Sequence, residues 1–182
     1  VRGTMKLENY DQEPIDTLIL NLNRKGKFEV EVDGAQQVKE DETHRMVFYV
    51  FKPALAPGDS TQMKYRMTLT NKGFENEVSF TQIVDNGSFF NNGLVTPSMG
   101  YLPDKEISQK RFRKKFGLPP KELMPPLEHE CSEHCMMNYI GAHADWSSLE
   151  TIMSTSPDQI AVAPGSLIDE WEENGRRYFR YK

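Results

Sequence analysis

Apolar and polar residues alternate with a period of two over much of the first 70 positions, the pattern of strands that bury one face and wet the other. Leu18, Leu20 and Leu22 interleave with Thr17, Ile19 and Asn21. The turn Asn23-Arg24-Lys25-Gly26 then leads into Phe28, Val30 and Val32, which interleave with Glu29 and Glu31. Asp33-Gly34 is a turn signal, and the polar run 36–43 predicts a loop. Residues 46–51 are apolar at nearly every position, which predicts a strand covered on both faces and punctuated by the turn 53–60. Met63, Tyr65, Met67 and Leu69 alternate with Lys64, Arg66, Thr68 and Thr70, and a further strand is predicted over 77–84, closing at Asp85-Asn86-Gly87. Such alternation suits antiparallel sheets with one wet face.

The middle of the chain changes period. Asp104 is placed to cap a basic helix over 105–116, stopped by Gly117 and Pro119-Pro120. Ile107, Phe112 and Phe116 share one face of that helix, and Lys110, Arg111, Arg113, Lys114 and Lys115 surround it. Residues 118–127 contain four prolines and read as an extended connector, and 128–140 as a short helix. The β pattern resumes at 149–155, 159–163, the turn Pro164-Gly165 and 176–182. The prediction is a mainly β, antiparallel two-sheet sandwich or saddle-like domain over 1–182, with a helical, proline-rich insertion at about 100–145. The chain starts at Val1 and stops in an alternating, aromatic stretch, so it is expected to be a segment of a longer protein.

Composition narrows the function classes. There are 27 acidic and 22 basic residues among 182, a net charge of -5, and the mean hydropathy is -0.64. An acidic chain without aromatics interleaved among its lysines argues against nucleic-acid binding, and no apolar run reaches the ~20 residues of a membrane-spanning helix. Two cysteines provide no disulfide framework.

Candidate chemistry concentrates in His129-Glu130-Cys131-Ser132-Glu133-His134-Cys135. His129, Cys131, His134 and Cys135 have the composition of a zinc tetrad, but the second histidine lies at i+5, about 140° around a helix from the first, so H-E-x-x-H is not formed. A polar helix or turn with free thiols is the preferred reading, with a zinc site or a Cys131–Cys135 disulfide as alternatives. The acid pairs Asp169-Glu170 and Glu172-Glu173 read as surface charge, and no nucleophile elbow or phosphate loop is present.

Three ordered stretches carry a family resemblance: Phe51-Lys52-Pro53 with Leu55-Ala56-Pro57-Gly58-Asp59-Ser60; Ile83-Val84-Asp85-Asn86-Gly87-Ser88-Phe89-Phe90 with Pro97-Ser98-Met99-Gly100-Tyr101; and residues 154–167 with Trp171 and Gly175-Arg176-Arg177-Tyr178-Phe179-Arg180-Tyr181. Together they resemble the N-terminal β domain of the aminopeptidase N-like gluzincin metallopeptidase family, in the bacterial branch fused to the permease of an ABC transporter. The resemblance implies a non-catalytic domain of a membrane-anchored protein, packing against a following zinc-peptidase-like domain of the same chain and shaping its site. It implies no cofactor in this segment, because the family's zinc motif lies in that following domain, and no membrane insertion by the segment itself. It places Gln82, in Phe80-Thr81-Gln82, where a glutamine of the family helps hold the free amine of a substrate. Asn86-Gly87 and Gly100-Tyr101 stand where the peptidases carry an arginine and acidic-proline signature. Asn86, Gly87, Gly100, Tyr101, Pro164 and Gly165 are expected to be structural turn residues, with the glycines at positive backbone angles or tight turns. A stand-alone β-sandwich module binding carbohydrate or peptide, and a small zinc protein built on residues 129–135, are the alternatives.

Overall fold

In chain order the strands are β1 (Arg2–Glu8), β2 (Ile15–Asn21), β3 (Lys27–Val32), β4 (Ala35–Asp41), β5 (Met46–Leu55), β6 (Ser60–Thr68), β7 (Ile83–Val84), β8 (Gly87–Ser88), β9 (Ser98–Met99), β10 (Thr151–Thr155), β11 (Leu167–Glu173) and β12 (Arg176–Tyr181). Two short helices join them, α1 (Asn92–Val95) and α2 (Lys110–Lys115). The structure is a computed structural model that describes residues 1–70, 82–84, 86–102, 105–121 and 147–182. The protein is mainly β with antiparallel sheets, as the alternation predicts. The chain divides into two units, Val1–Glu106 and Ile107–Lys182, a boundary that falls inside the stretch expected as an insertion.

In the first unit a sheet of order β1-β6-β3 and a sheet of order β4-β5-β2-β9 share one core. Val32 and Met63 from the first sheet and Leu20, Val47, Tyr49 and Phe51 from the second are buried in a single cluster. The packing is that of a sandwich, with inward residues two apart on each strand. Met63, Tyr65 and Met67 are buried on β6 while Lys64 and Arg66 are exposed. The Tyr49 hydroxyl donates across the sandwich to the Val30 carbonyl at 2.9 Å. Asn9, 1% exposed, closes the loop after β1 by donating from Nδ2 to the Glu13 and Leu55 carbonyls and accepting from the Asp11 amide.

Several sequence expectations are corrected here. The polar run 36–43 is largely strand β4, paired with β5 around a bulge between Gln37 and Lys39. It carries no alternation because it is an edge strand with nearly every side chain in water. The run 46–51 is not covered equally on both faces, since Val47, Tyr49 and Phe51 are buried and Met46, Phe48 and Val50 only half-buried. Of the strand predicted over 77–84, Ile83 and Val84 form β7, and 77–81 lie outside the described residues.

The second unit contains α2 and a sheet of order β10-β12-β11. The helix is shorter than predicted and starts at Lys110, with Gln109 at the N-cap and no side-chain capping bond. Lys105 and Glu106 are held elsewhere, by Asn21 and by the Tyr101 hydroxyl, and so do not enter it. Its end matches the prediction: the Leu118 amide bonds to the Arg113 carbonyl and the Gly117 amide to that of Lys114, a Schellman closure. The expected apolar seam is absent. Ile107, Phe112 and Phe116 are exposed, and the buried residue of the helix is Arg113, whose guanidinium donates to the Ile107 and Pro119 carbonyls at 2.7 and 2.6 Å.

The sheet's core is Phe179 and Tyr181 under Ala161. Residues 159–163 are not a strand. They cross this face as an irregular segment, Ala161 inward with its carbonyl taking the Tyr181 hydroxyl at 2.9 Å, and Ile160 and Val162 outward. Strand β11, with no alternation to reveal it, is acidic and mostly exposed, so Asp169-Glu170 and Glu172-Glu173 sit on a strand rather than a turn. Its hairpin turn, Asn174-Gly175, has φ of 51° and 73°, the two positive angles a type I′ turn demands. Glu170 pairs with Arg177 across the hairpin at 2.5 Å.

Candidate functional site

Strand β2 ends at Asn21, where the short strand β9 pairs with it, Asn21 opposite Ser98. This register brings the Gly100 backbone beside β2, with the Gly100 amide donating to the Ile19 carbonyl at 2.9 Å. Asn21 is 5% exposed. Its Nδ2 donates to the Gly100 carbonyl at 2.8 Å, and its Oδ1 accepts from Lys105 Nζ at 2.8 Å. One amide thus fixes both the chain reversal at 100 and the lysine five residues later.

These residues line an open cleft of about 760 Å³ within the first unit. Arg24, His44, Tyr101, Lys105 and Glu106 supply its charged and polar wall, and Ile19, Leu22, Met46 and Leu102 its apolar wall. Burial, and next the charge of Arg24, hold the Lys105 ammonium below the usual lysine range. Arg24 donates to the Thr43 carbonyl at 3.2 Å. Among the described residues, neither Arg24 nor Lys105 forms an ion pair. Glu106 accepts the Tyr101 hydroxyl. The His44 ring bonds through Nδ1 to Asp41 at 2.9 Å, and the hydrogen bonds from the His44 backbone and then its ring lower the Asp41 carboxyl. The arrangement can hold an anion, because its cations are set against neutral acceptors.

Of the candidate site residues named from the sequence, Gly100 and Tyr101 line this cleft, and the other described ones do not. Gly100 has positive φ, 74°, as expected of a turn glycine. Gly87 does not, since it pairs with Val84 in the β7–β8 ladder and Asn86 occupies the turn between them. Pro164 and Gly165 form a bend. Gly165 has φ of 100°, and a Cβ there would lie 2.7 Å from the Lys182 carbonyl carbon and oxygen. Gln82 is half-buried, and its Oε1 is buried with no hydrogen-bond partner among the described residues. His129, Cys131, His134 and Cys135 lie outside the described residues. Among the described residues no cluster of His, Cys, Asp or Glu has the grouping of a metal site, and no helix is long and apolar enough to cross a membrane.

Asn21, Arg24, His44 and Lys105 were not indicated by the sequence. The alternation assigns Asn21 to the wet face of β2. What buries it is a segment about 80 residues away in the chain, and no local pattern carries that information. No protein family, curated protein or solved structure matches this chain.

Proposed function

We propose that this chain is a non-catalytic β module of a larger, membrane-anchored bacterial metallopeptidase-like protein, packing against a zinc-peptidase-like domain and helping to shape its site. The family resemblance motivates this reading, and the state of Gln82 carries it. The residue expected to meet a substrate's free amine has a buried carbonyl oxygen without a partner among the described residues. A buried acceptor left unpaired is costly, about 1–3 kcal/mol, and an amine N–H would satisfy it. The second unit also exposes the aliphatic side chains Ile152, Ile160, Val162, Leu167 and Ile168 at 49–78%, which a neighbouring domain would cover.

The test has two arms. The chain alone, supplied with zinc, should cleave no aminoacyl substrate, and zinc-dependent turnover would overturn the assignment. Joined to the peptidase-like region of its reading frame, Gln82→Leu should raise KM with little change in kcat. An unchanged KM removes the role given to Gln82. One observation favours a second reading, a ligand-binding β module: the cleft beside Asn21 lies entirely within one unit and needs no neighbour to form it.

A further inference from the structure

We propose that the cleft at the end of β2 is a binding site for a small organic monoanion. A carboxylate head would sit between Lys105 and Arg24, and an aliphatic or aromatic body would lie on Ile19, Leu22, Met46 and Leu102. The volume, about 760 Å³, lies within the range of small-molecule sites, about 300–1,000 Å³. Such sites combine apolar walls with a few fixed polar groups that set orientation.

Three features point to an anion. The Lys105 ammonium is positioned by a neutral amide, Asn21 Oδ1 at 2.8 Å, which is itself fixed on the Gly100 carbonyl at 2.8 Å. Lys105 is therefore oriented without being neutralised. Arg24 shares the cleft, and among the described residues its hydrogen bond is to a carbonyl, Thr43 O at 3.2 Å. The two cations also oppose one another, since Arg24 adds to burial in disfavouring the charged form of Lys105. An anion lodged between them turns that repulsion into two attractions.

Charge selects the class of anion. Among the described lining residues, Arg24 and Lys105 against Glu106 leave one net positive charge before His44 is counted. One net charge matches a carboxylate better than a phosphate dianion, and a guanidinium can take both carboxylate oxygens. The four apolar side chains that line the same cleft match a hydrocarbon body and not a sugar.

The pH dependence follows from the groups around Lys105, namely Arg24, Glu106 and His44, with Asp41 bound to His44. An anion favours protonated Lys105 and restores its proton affinity. Affinity should therefore be greatest while Lys105 is charged and should fall as pH rises through its lowered titration.

The experiment titrates the 182-residue chain with 4-phenylbutyrate, 4-phenylbutylamine and inorganic phosphate by calorimetry, with backbone amide shifts read by NMR. The expected result is saturable binding of 4-phenylbutyrate, with shifts at Asn21, Arg24 and Lys105. Affinity should drop at least tenfold in Lys105→Met and in Arg24→Gln, and should weaken progressively as pH rises from 7 to 11. Arg24→Gln leaves the Asn21–Lys105 pair intact, so its folding is checked by an unchanged amide spectrum elsewhere. Absence of binding at millimolar 4-phenylbutyrate, equal affinity in Arg24→Gln, or equal binding of 4-phenylbutylamine would overturn the site. Tighter binding of phosphate than of 4-phenylbutyrate would overturn the carboxylate assignment.

Discussion

Replacing Asn21 with alanine removes a side chain that ties β2 to Gly100 and Lys105. Two hydrogen bonds go with it. The bond from Nδ2 to the Gly100 carbonyl is neutral and worth about 1 kcal/mol. The bond from Lys105 involves a charge and would be worth about 1.5–3 kcal/mol in a buried setting, but Lys105 is largely exposed, and solvent screening reduces it to about 1 kcal/mol. The expected loss is about 2 kcal/mol, confined to the first unit. At a urea dependence of about 1 kcal/mol per molar for a unit of this size, its midpoint should fall by about 2 M. Hydrogen exchange over residues 15–50 follows the first unit, while the fluorescence of Trp171, on β11, follows the second. A midpoint change below about 0.3 M in Asn21→Ala, or an equal shift in the tryptophan signal, would refute the reasoning.

Three further changes test other parts of the structure. Tyr49→Phe removes the bond across the sandwich and should cost about 1 kcal/mol at pH 7 in urea melts. Burial, and then Glu40, raise the Tyr49 phenol above its ordinary value of 10.0. The unfolded phenol therefore ionises first, wild-type stability falls as pH climbs past 10, and the variant should show a shallower fall. Gly165→Ala combines a positive φ with a backbone overlap at Lys182. It should lower the second unit's stability, read by fluorescence in urea, by about 2 kcal/mol or more while exchange in the first unit stays unchanged. Arg113→Met removes both carbonyl contacts that hold residues 107–119 together, so proteolysis within that stretch should quicken with both hydrophobic clusters intact.

How legible the fold is depends on where each strand sits. Strands β3 and β6 have one buried face, and burial imposes the period of two that reveals them; β2 shows it through Leu18 and Leu20, although Asn21 is buried on its other face. Strands β4 and β11 are paired on one side only and exposed on both faces, so nothing in their residue order separates them from polar loop. The Asn174-Gly175 pair was a usable signal for β11, since both residues adopt the positive φ of a type I′ turn. The basic helix misleads because Arg113, assigned to the wet face, is the residue that carbonyl groups enclose. The cleft is the least legible part. Its turn residues Gly100 and Tyr101 are readable locally, whereas Asn21, Arg24 and Lys105 gain meaning only when β9 pairs beside β2.

Strand order within the sheets has a consequence for synthesis. In both three-stranded sheets the middle strand is the last to be made: β6 comes after β1 and β3, and β12 after β10 and β11. A ribosome therefore exposes two strands of each sheet without their shared partner until the central strand emerges. Stalling before residue 60 or before residue 176 leaves open strand edges of the kind that pair with other chains. Nascent chains halted at those two points should depend most on chaperones, and release past Thr68 and past Tyr181 should relieve that dependence in two separate steps.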